Sequence, residues 1–344
     1  MHKLTVLIPT YNRKNDLAAT LKALSEQDND DFDVLISDNH SDYSIEEEIF
    51  PSLPEEFLSR VSVHHQPFNV GGINITGLLM LCKSEWGWLL GDDDFVQPNA
   101  ISNIYKTFRK YPDVDGFWFS VIEEFRGDTI LNNMEELQEL LQKRENLPNN
   151  NGDFFFCSNK VYRIQALVNM YNVFRFSYNA MGHTIPIFEM LKAGKKVGVI
   201  GFDDVLVKHG GQLTWDVSPT ATGMRTLFDY PTGLSWKRHC RFVRSVMFNP
   251  DFVFRQYLKL DHLPWNYRAY LKNIYSSCYR FCYPWYKRVF IKPLFWFASC
   301  SFGWKVLRSI FLPIAAAKDK IRLKLEPHPL LFKYAKAVKR TIMP

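Results

Sequence analysis

At 344 residues the chain can hold one large domain or two of medium size, each able to bury a real core. Hydrophobic residues make up 47% and charged residues 23%, which excludes a wholly disordered chain. The net charge of +6 hides a division: Trp236–Pro344 carries 22 basic against 4 acidic residues, and the remainder 20 against 32, so the two parts are expected to meet different partners.

The first part alternates strand and helix signals. Leu4–Ile8 is a short apolar run rich in β-branched residues, and it begins so early that no signal peptide is expected. Leu17, Leu21 and Leu24 follow at helical spacing. Phe32–Ser37 and Val61–His65 read as the second and third strands, Gly71–Cys82 as a helix, and Trp86–Leu90 as a fourth strand. A helix from about Asn99 to Lys110 leads to a strand at Gly116–Val121, and Met134–Arg144 reads as a polar helix before an exposed loop at 148–152. Phe154–Cys157 resumes apolar character, a helix from about Ile185 to Ala193 ends on Gly194, and Lys196–Ile200 and Val205–Val207 read as short strands. Beyond about Gly233 strand signals fade and the chain reads as helices. The expected fold class is therefore α/β with a mostly parallel sheet over residues 1–232, followed by a helical region over 233–344. The six cysteines form no CxxC pair and no finger spacing; Cys278 and Cys282, four apart among aromatics, read as helix packing, and free thiols in a reducing cytoplasm are expected.

In parallel sheets ligands bind beyond the carboxyl ends of the strands, and the polar clusters of this chain stand there. Thr10-Tyr11-Asn12 follows the first strand, Asp38 the second, and Asp92-Asp93-Asp94 the fourth. A buried strand delivering three consecutive carboxylates suffers self-repulsion unless a cation compensates it. Mg²⁺ or Mn²⁺ takes one or two carboxylates and completes its shell with water and substrate phosphates. A solvated acidic turn capping the next helix is the alternative reading of the tripeptide alone.

Pro9-Thr10-Tyr11-Asn12-Arg13, Asp38-Asn39-His40-Ser41-Asp42, Asn69-Val70-Gly71-Gly72 and Leu90-Gly91-Asp92-Asp93-Asp94, in this order and at these intervals, resemble the family 2 glycosyltransferases of GT-A (Rossmann-like) fold, closest to bacterial enzymes of O-antigen and capsule assembly. The resemblance implies a metal-dependent, inverting transfer of a sugar from a nucleotide-sugar donor, a UDP-sugar, to a hydroxyl of a glycan or lipid-linked saccharide. It assigns the donor site to Pro9, Thr10, Tyr11, Asn12, Asp38, Asn69, Gly71, Asp92 and Asp93, and the metal to Asp94, Asp92 and His209. Tyr11 offers an aromatic face and Asp38 an acceptor for a base imide N–H; core packing and turn chemistry are their plainer readings. Ser158, Asn159 and Arg163 stand where such enzymes shape the acceptor pocket.

The acidic pair that family members place before a helix, ahead of a glycine, is absent here. Counting back from Gly194 puts Gly182 and His183 at those positions, and a neutral imidazole can act as general base near pH 7. His183 is the expected catalytic residue, with Glu189 a distant second. A sugar-1-phosphate nucleotidyltransferase is the enzymatic alternative, although Pro9–Arg13 is not the glycine-rich phosphate loop such enzymes carry. A catalytically silent nucleotide-binding membrane scaffold is the other.

The tail mixes Arg280, Lys287, Arg288, Lys292, Lys305 and Arg308 with Trp285, Tyr286, Trp296 and Trp304, without an apolar run long enough to span a bilayer. Cationic, aromatic helices lie in a lipid interface, so a peripheral place on the inner face of a bacterial plasma membrane is expected; nucleic acid is the less favoured partner.

Overall fold

The structure, a computed structural model, describes residues 2–144, 152–177, 182–208, 226–246, 280–282 and 285–310. The first compact unit covers Met1–Met247, so it includes the helix Trp236–Val246 that the sequence reading assigned beyond a division at 232.

Among the described residues up to 208, ten strands and eight α-helices build this unit: β1 (Leu4–Thr10), α1 (Lys14–Ser25), β2 (Asp33–Asp38), α2 (Ile45–Glu48), α3 (Glu55–Leu58), β3 (Val61–His65), α4 (Ile73–Leu81), β4 (Trp86–Leu89), β5 (Phe95–Val96), α5 (Ala100–Lys110), β6 (Gly116–Phe119), β7 (Thr129–Leu131), α6 (Met134–Arg144), β8 (Lys160–Arg163), α7 (Met170–Arg175), α8 (Ile185–Lys192), β9 (Val197–Ile200) and β10 (Val207–Lys208). Eight strands form one sheet in the order β3-β2-β1-β4-β8-β6-β9-β7. The pairs β3–β2, β2–β1, β1–β4 and β6–β9 are parallel, whereas β8 runs antiparallel to both neighbours and β7 to β9. The expected mostly parallel α/β sheet is thus present, with β8 inserted against the grain at its centre.

The core explains why these runs became strands. Val6 and Ile8 of β1, Val34 and Ile36 of β2, and Trp88 of β4 are buried with Leu17, Leu21 and Leu24 of α1 in one cluster. Trp86 stacks on Phe108 of α5 at 4.2 Å and on Phe117 of β6 at 5.6 Å, tying helix to sheet. Gly87 leaves room there, because a Cβ on it would lie 2.8 Å from Leu7 Cδ1 and 3.0 Å from Ile164 Cδ1. Gly194 ends α8 as expected, in the left-handed region at φ +73.

Three strands escape sequence reading. β5 has two residues and pairs with β10, which overlaps the strand expected at Val205–Val207. β8 follows the apolar stretch Phe154–Cys157, where the chain forms 3₁₀ turns at Gly152–Phe155 and Cys157–Asn159. β7 is three residues long.

In the second unit, Phe248–Pro344, the described residues form helices at Arg280–Cys282, Trp285–Ala298 and 301–310. Among the described residues no helix is long and apolar enough to cross a membrane.

Candidate active site

The carboxyl ends of β1, β2, β3 and β4 are adjacent, so the loops that leave them converge. Asn12 follows β1 at φ +53 and His40 follows β2 at φ +69, both in the left-handed region that asparagine and histidine tolerate better than branched residues. The strain is offset by a lock between the two loops. Asn12 N–H donates to Ser41 Oγ (2.9 Å), Asn12 Nδ2 to Asp42 Oδ2 (2.9 Å), and Asp42 N–H returns to Asn12 Oδ1 (2.8 Å). The loop after β3 is tied in the same way: Asn39 Nδ2 donates to Asn69 Oδ1, Val70 N–H donates to Asn39 Oδ1, and Gly71 N–H donates to Asn69 Oδ1, each at 2.8 Å. Gly71, at φ +62, turns that loop into α4. Tyr11 is 45% exposed on the rim, whereas Asp38 is buried.

At the centre, Gly91–Asp94 leaves β4 with Asp92 and Asp94 only 6% and 8% exposed. Thr10 Oγ1 donates to Asp92 Oδ2 (2.8 Å) and Thr20 Oγ1 to the Asp92 carbonyl (2.9 Å). The Arg13 guanidinium reaches Asp92 at 3.3 Å and contacts Asp93 more closely. Ser158 Oγ donates to Asp94 Oδ2 and accepts from Gly91 N–H at 2.7 Å, while Ser158 carbonyl receives Trp88 Nε1–H at 2.8 Å. Gly91 has no room for more: a Cβ there would lie 2.9 Å from Asp94 Oδ2 and 3.2 Å from Ser158 Oγ.

This tip is electrostatically unhappy. Burial pushes the Asp92 carboxyl up to about 6, against the lowering by the Thr10 hydroxyl and Arg13. Burial pushes Asp94 up to about 7, with Asp93 and Asp92 adding to the rise and Ser158 opposing it. Arg13 supplies a single positive charge to three carboxylates, and a divalent cation would relieve the remainder. Among the described residues no group of three or more His, Cys, Asp or Glu side chains is placed to hold a metal ion. Two carboxylates with substrate phosphates and water nonetheless match the donor set that Mg²⁺ and Mn²⁺ take. The site fits such an ion when a diphosphate completes its shell.

The other expected residues distribute differently. Ser158 and Asn159 are fully buried, and they face Asp94 and Asp153 instead of an open acceptor pocket. Asn159 Nδ2 donates to the Asp153 carbonyl at 2.9 Å, and its Oδ1 receives Lys160 Nζ at 2.9 Å. Arg163 is corrected outright. β8 runs antiparallel to β4, so Arg163 pairs with Trp86 at the far end of the strand from Asp92, stacks on that ring at 4.7 Å and donates to the Pro112 carbonyl at 2.7 Å.

His183 lies in a 3₁₀ turn ahead of α8, only 3% exposed, with Nε2 2.8 Å from the Phe155 carbonyl. A carbonyl can only accept, so Nε2 carries the hydrogen and Nδ1 is the basic nitrogen of the neutral ring. Tyr162 OH holds the same turn through the His183 carbonyl at 2.7 Å. Glu189 is no base: Asn169 Nδ2 (2.8 Å), Asn172 Nδ2 (3.0 Å), Lys192 Nζ (3.3 Å) and Tyr230 OH all donate to its buried carboxylate. His209 lies outside the described residues.

Sequence reasoning missed Arg13 as the cation of the tip, although it stands three residues beyond the end of β1, the strand that pairs with β4.

Residues 5–169 match the family model described as Glycosyl transferase family 2. A 124-residue stretch is 34% identical to the succinoglycan biosynthesis protein ExoW of Rhizobium meliloti, covering 35% of this chain and 38% of that protein. A 152-residue stretch is 26% identical to an uncharacterized glycosyltransferase of Haemophilus influenzae, covering 43% of this chain and 50% of that protein. The chain thus spans half or less of the curated relatives it matches. In three dimensions it is similar to the crystal structure of S. aureus TarS 1-349 in complex with UDP-GlcNAc, with a TM-score of 0.54 at 14% identity over 86% of this chain and 91% of that one. That likeness bears on the fold alone, and the fold is GT-A.

Proposed function

We propose, for a chain whose residues 5–169 belong to glycosyl transferase family 2, that the site transfers a sugar with inversion from a UDP-sugar to a hydroxyl of a glycan or lipid-linked saccharide during cell-surface polysaccharide synthesis. The observation that carries this reading is the buried Asp92–Asp94 tip, whose two inner carboxyls are pushed up to about 6 and about 7. Clustered charge of that kind is held at a cost, and it repays that cost when it grips a counter-charged substrate complex. The succinoglycan name of one relative and the UDP-GlcNAc bound by the structural neighbour support the polysaccharide and UDP-sugar assignments.

Each residue then has a physical task. Asp38 accepts the imide N–H of the base, Tyr11 offers its exposed ring as a stacking face, and Pro9 with Thr10 and Asn12 shapes the rim between them. Asn69 and Gly71 bring backbone close to the ribose or pyrophosphate ahead of α4. Asp92 takes the ribose or a metal-bound water, and Asp93, held by Arg13, completes the acidic wall. Asp94 and Asp92 would hold Mg²⁺ or Mn²⁺, whose chemistry is to neutralise charge on a departing nucleoside diphosphate. His183 takes the acceptor proton at Nδ1, its ring oriented by the Phe155 carbonyl.

The test is UDP release from a panel of UDP-sugars with Mn²⁺, comparing the wild type with His183→Gln. Glutamine keeps a donor for the Phe155 carbonyl but has no basic nitrogen. Transfer to an acceptor is expected to fall by about 10²–10³-fold, with slow donor hydrolysis by water less affected. Nucleotide binding without any turnover, in any donor, would overturn the transferase reading. An unchanged transfer rate in His183→Gln would remove the base assignment alone.

The tail has a place in the same reading. Trp285, Tyr286, Leu294, Trp296 and Phe302 are exposed on its described helices, and Lys292 lies 6.0 Å over the Trp296 ring. Such helices would seat at an anionic lipid interface that presents a lipid-linked acceptor. The full chain is expected to float with vesicles containing phosphatidylglycerol and to stay behind with neutral phosphatidylcholine vesicles; equal recovery with both would dismiss the membrane role.

A further inference from the structure

Asp38 ends β2 and stands directly across from His65, the last residue of β3. Its two carboxylate oxygens are separately occupied. Oδ1 accepts Ser41 N–H at 3.1 Å, and Oδ2 lies 3.3 Å from His65 Nδ1. The other ring nitrogen, His65 Nε2, lies 2.8 Å from Glu46 Oε1 on α2. Carboxylates only accept hydrogen bonds, and a neutral imidazole has one N–H to give. To serve Asp38 and Glu46 together, His65 must carry both hydrogens, and therefore a positive charge. Glu46 and Asp38 are the titratable groups in contact with its ring from the two neighbouring elements.

We propose that His65 is a positioning residue of the nucleobase site: as an imidazolium bridging Asp38 and Glu46, it fixes the carboxylate that receives the base and makes nucleotide affinity fall with rising pH. This rests on the reading of Asp38 given above and adds a device to it. The hydrogen bond to Glu46 raises the His65 pKa most, the bond to Asp38 and both carboxylate charges add to it, and partial burial opposes. The sign follows. A histidine whose pKa is raised in the folded protein makes its contribution in full at low pH and loses it as pH passes through the raised value. Above that value the ring has one hydrogen for two carboxylates, and Asp38 is free to turn away from the base. A carboxylate held by two donors keeps lone pairs for a third, so the clamp does not occupy the site it prepares.

The experiment measures UDP affinity of the full chain by calorimetry, at fixed Mn²⁺ and fixed ionic strength, from pH 7 to 9. His65 is half exposed, so Gln and Lys at that position leave the core untouched. Asp92 and Asp94 titrate alike in every variant compared, so differences between variants isolate residue 65. His65→Gln is expected to bind UDP roughly fivefold more weakly at pH 7, the effect of losing one charge-assisted hydrogen bond, and to approach the wild type at pH 9. His65→Lys, with a charge that persists through this range, is expected to restore much of the affinity and to hold it at pH 9. Asp38→Asn is expected to weaken binding at every pH, because the acceptor itself is impaired. If Asp38→Asn weakens binding while His65→Gln keeps both the affinity and the pH profile of the wild type, the base site stands and the positioning role is overturned. If Asp38→Asn binds UDP as the wild type does, the base reading fails and the inference falls with it.

Discussion

Asp94→Asn is expected to reduce sugar transfer by on the order of 10³-fold, and at the same time to yield a protein more stable than the wild type at pH 8. The two effects share one cause. Asp94 is 8% exposed, and burial pushes its carboxyl up to about 7. A carboxyl with a raised folded-state pKa carries no penalty while it is protonated in both states, below about pH 3. The penalty grows as the unfolded chain ionises and the folded one resists, and it is complete above about pH 7. Asparagine removes the charge and keeps an oxygen that can accept from Ser158 Oγ. The stability difference in favour of Asp94→Asn is therefore expected to be small at pH 4 and about 4 kcal/mol at pH 8. Urea titrations at the two pH values measure it.

Ligand binding reverses the order. Mn²⁺ with UDP is expected to raise the melting midpoint of the wild type and to raise that of Asp94→Asn far less, because the variant has lost one of the two carboxylates that would hold the ion. If the variant retained wild-type kcat, or if its stability advantage were equal at pH 4 and pH 8, the account of the tip as a destabilised cation trap would be wrong.

The parts of the site that the sequence discloses are those where pattern and burial agree. Val6 and Ile8, Val34 and Ile36, and Trp86 and Trp88 are buried strand residues that look apolar, and the polar clusters that follow them fall at strand ends. β8 is the opposite case. Lys160-Val161-Tyr162-Arg163 begins and ends with charge, yet Lys160 is fully buried, with Nζ bonded to Asn159 Oδ1 and to the Phe156 carbonyl. Its ammonium is pushed down to about 7 by burial. A strand that hides a lysine has no apolar alternation to detect, because the ammonium is satisfied by a carbonyl and an amide oxygen that residue type does not announce. The direction of β8 was equally hidden, and that direction alone moves Arg163 from the acceptor side to the ring of Trp86. His65 escaped for a third reason: as a strand-end histidine it acquires meaning only from Glu46, which an unpredicted short helix brings to 2.8 Å.

Asp153→Ala is expected to cost the first unit about 3–5 kcal/mol, the range for removing one partner of a buried ion pair. Arg144 and Asp153 are 2% and 5% exposed, joined by Arg144 Nη2 to Asp153 Oδ2 at 2.6 Å, with Ser120 Oγ donating to the same oxygen at 3.0 Å. The guanidinium lies 4.5 Å over Trp118 and 4.6 Å over Phe125, so alanine at 153 strands a positive charge between two rings. The pair is not a strong bond on balance. Among the described residues Arg144 Nε and Nη1 and Asp153 Oδ1 have no hydrogen-bond partner, and burial keeps the Asp153 carboxyl above its usual value despite the arginine beside it. Replacing both together, as Arg144→Met with Asp153→Leu, is therefore expected to recover most of the loss, leaving the double variant within about 1–2 kcal/mol of the wild type. What the double variant does not recover separates architecture from chemistry. Asp153 carbonyl receives Asn159 Nδ2, and the next residue back, Ser158, holds Asp94. If that chain of contacts fixes the tip, the double variant regains its melting midpoint while UDP binding and transfer stay reduced. Full recovery of both would show that the pair holds the fold and leaves the aspartates to hold themselves.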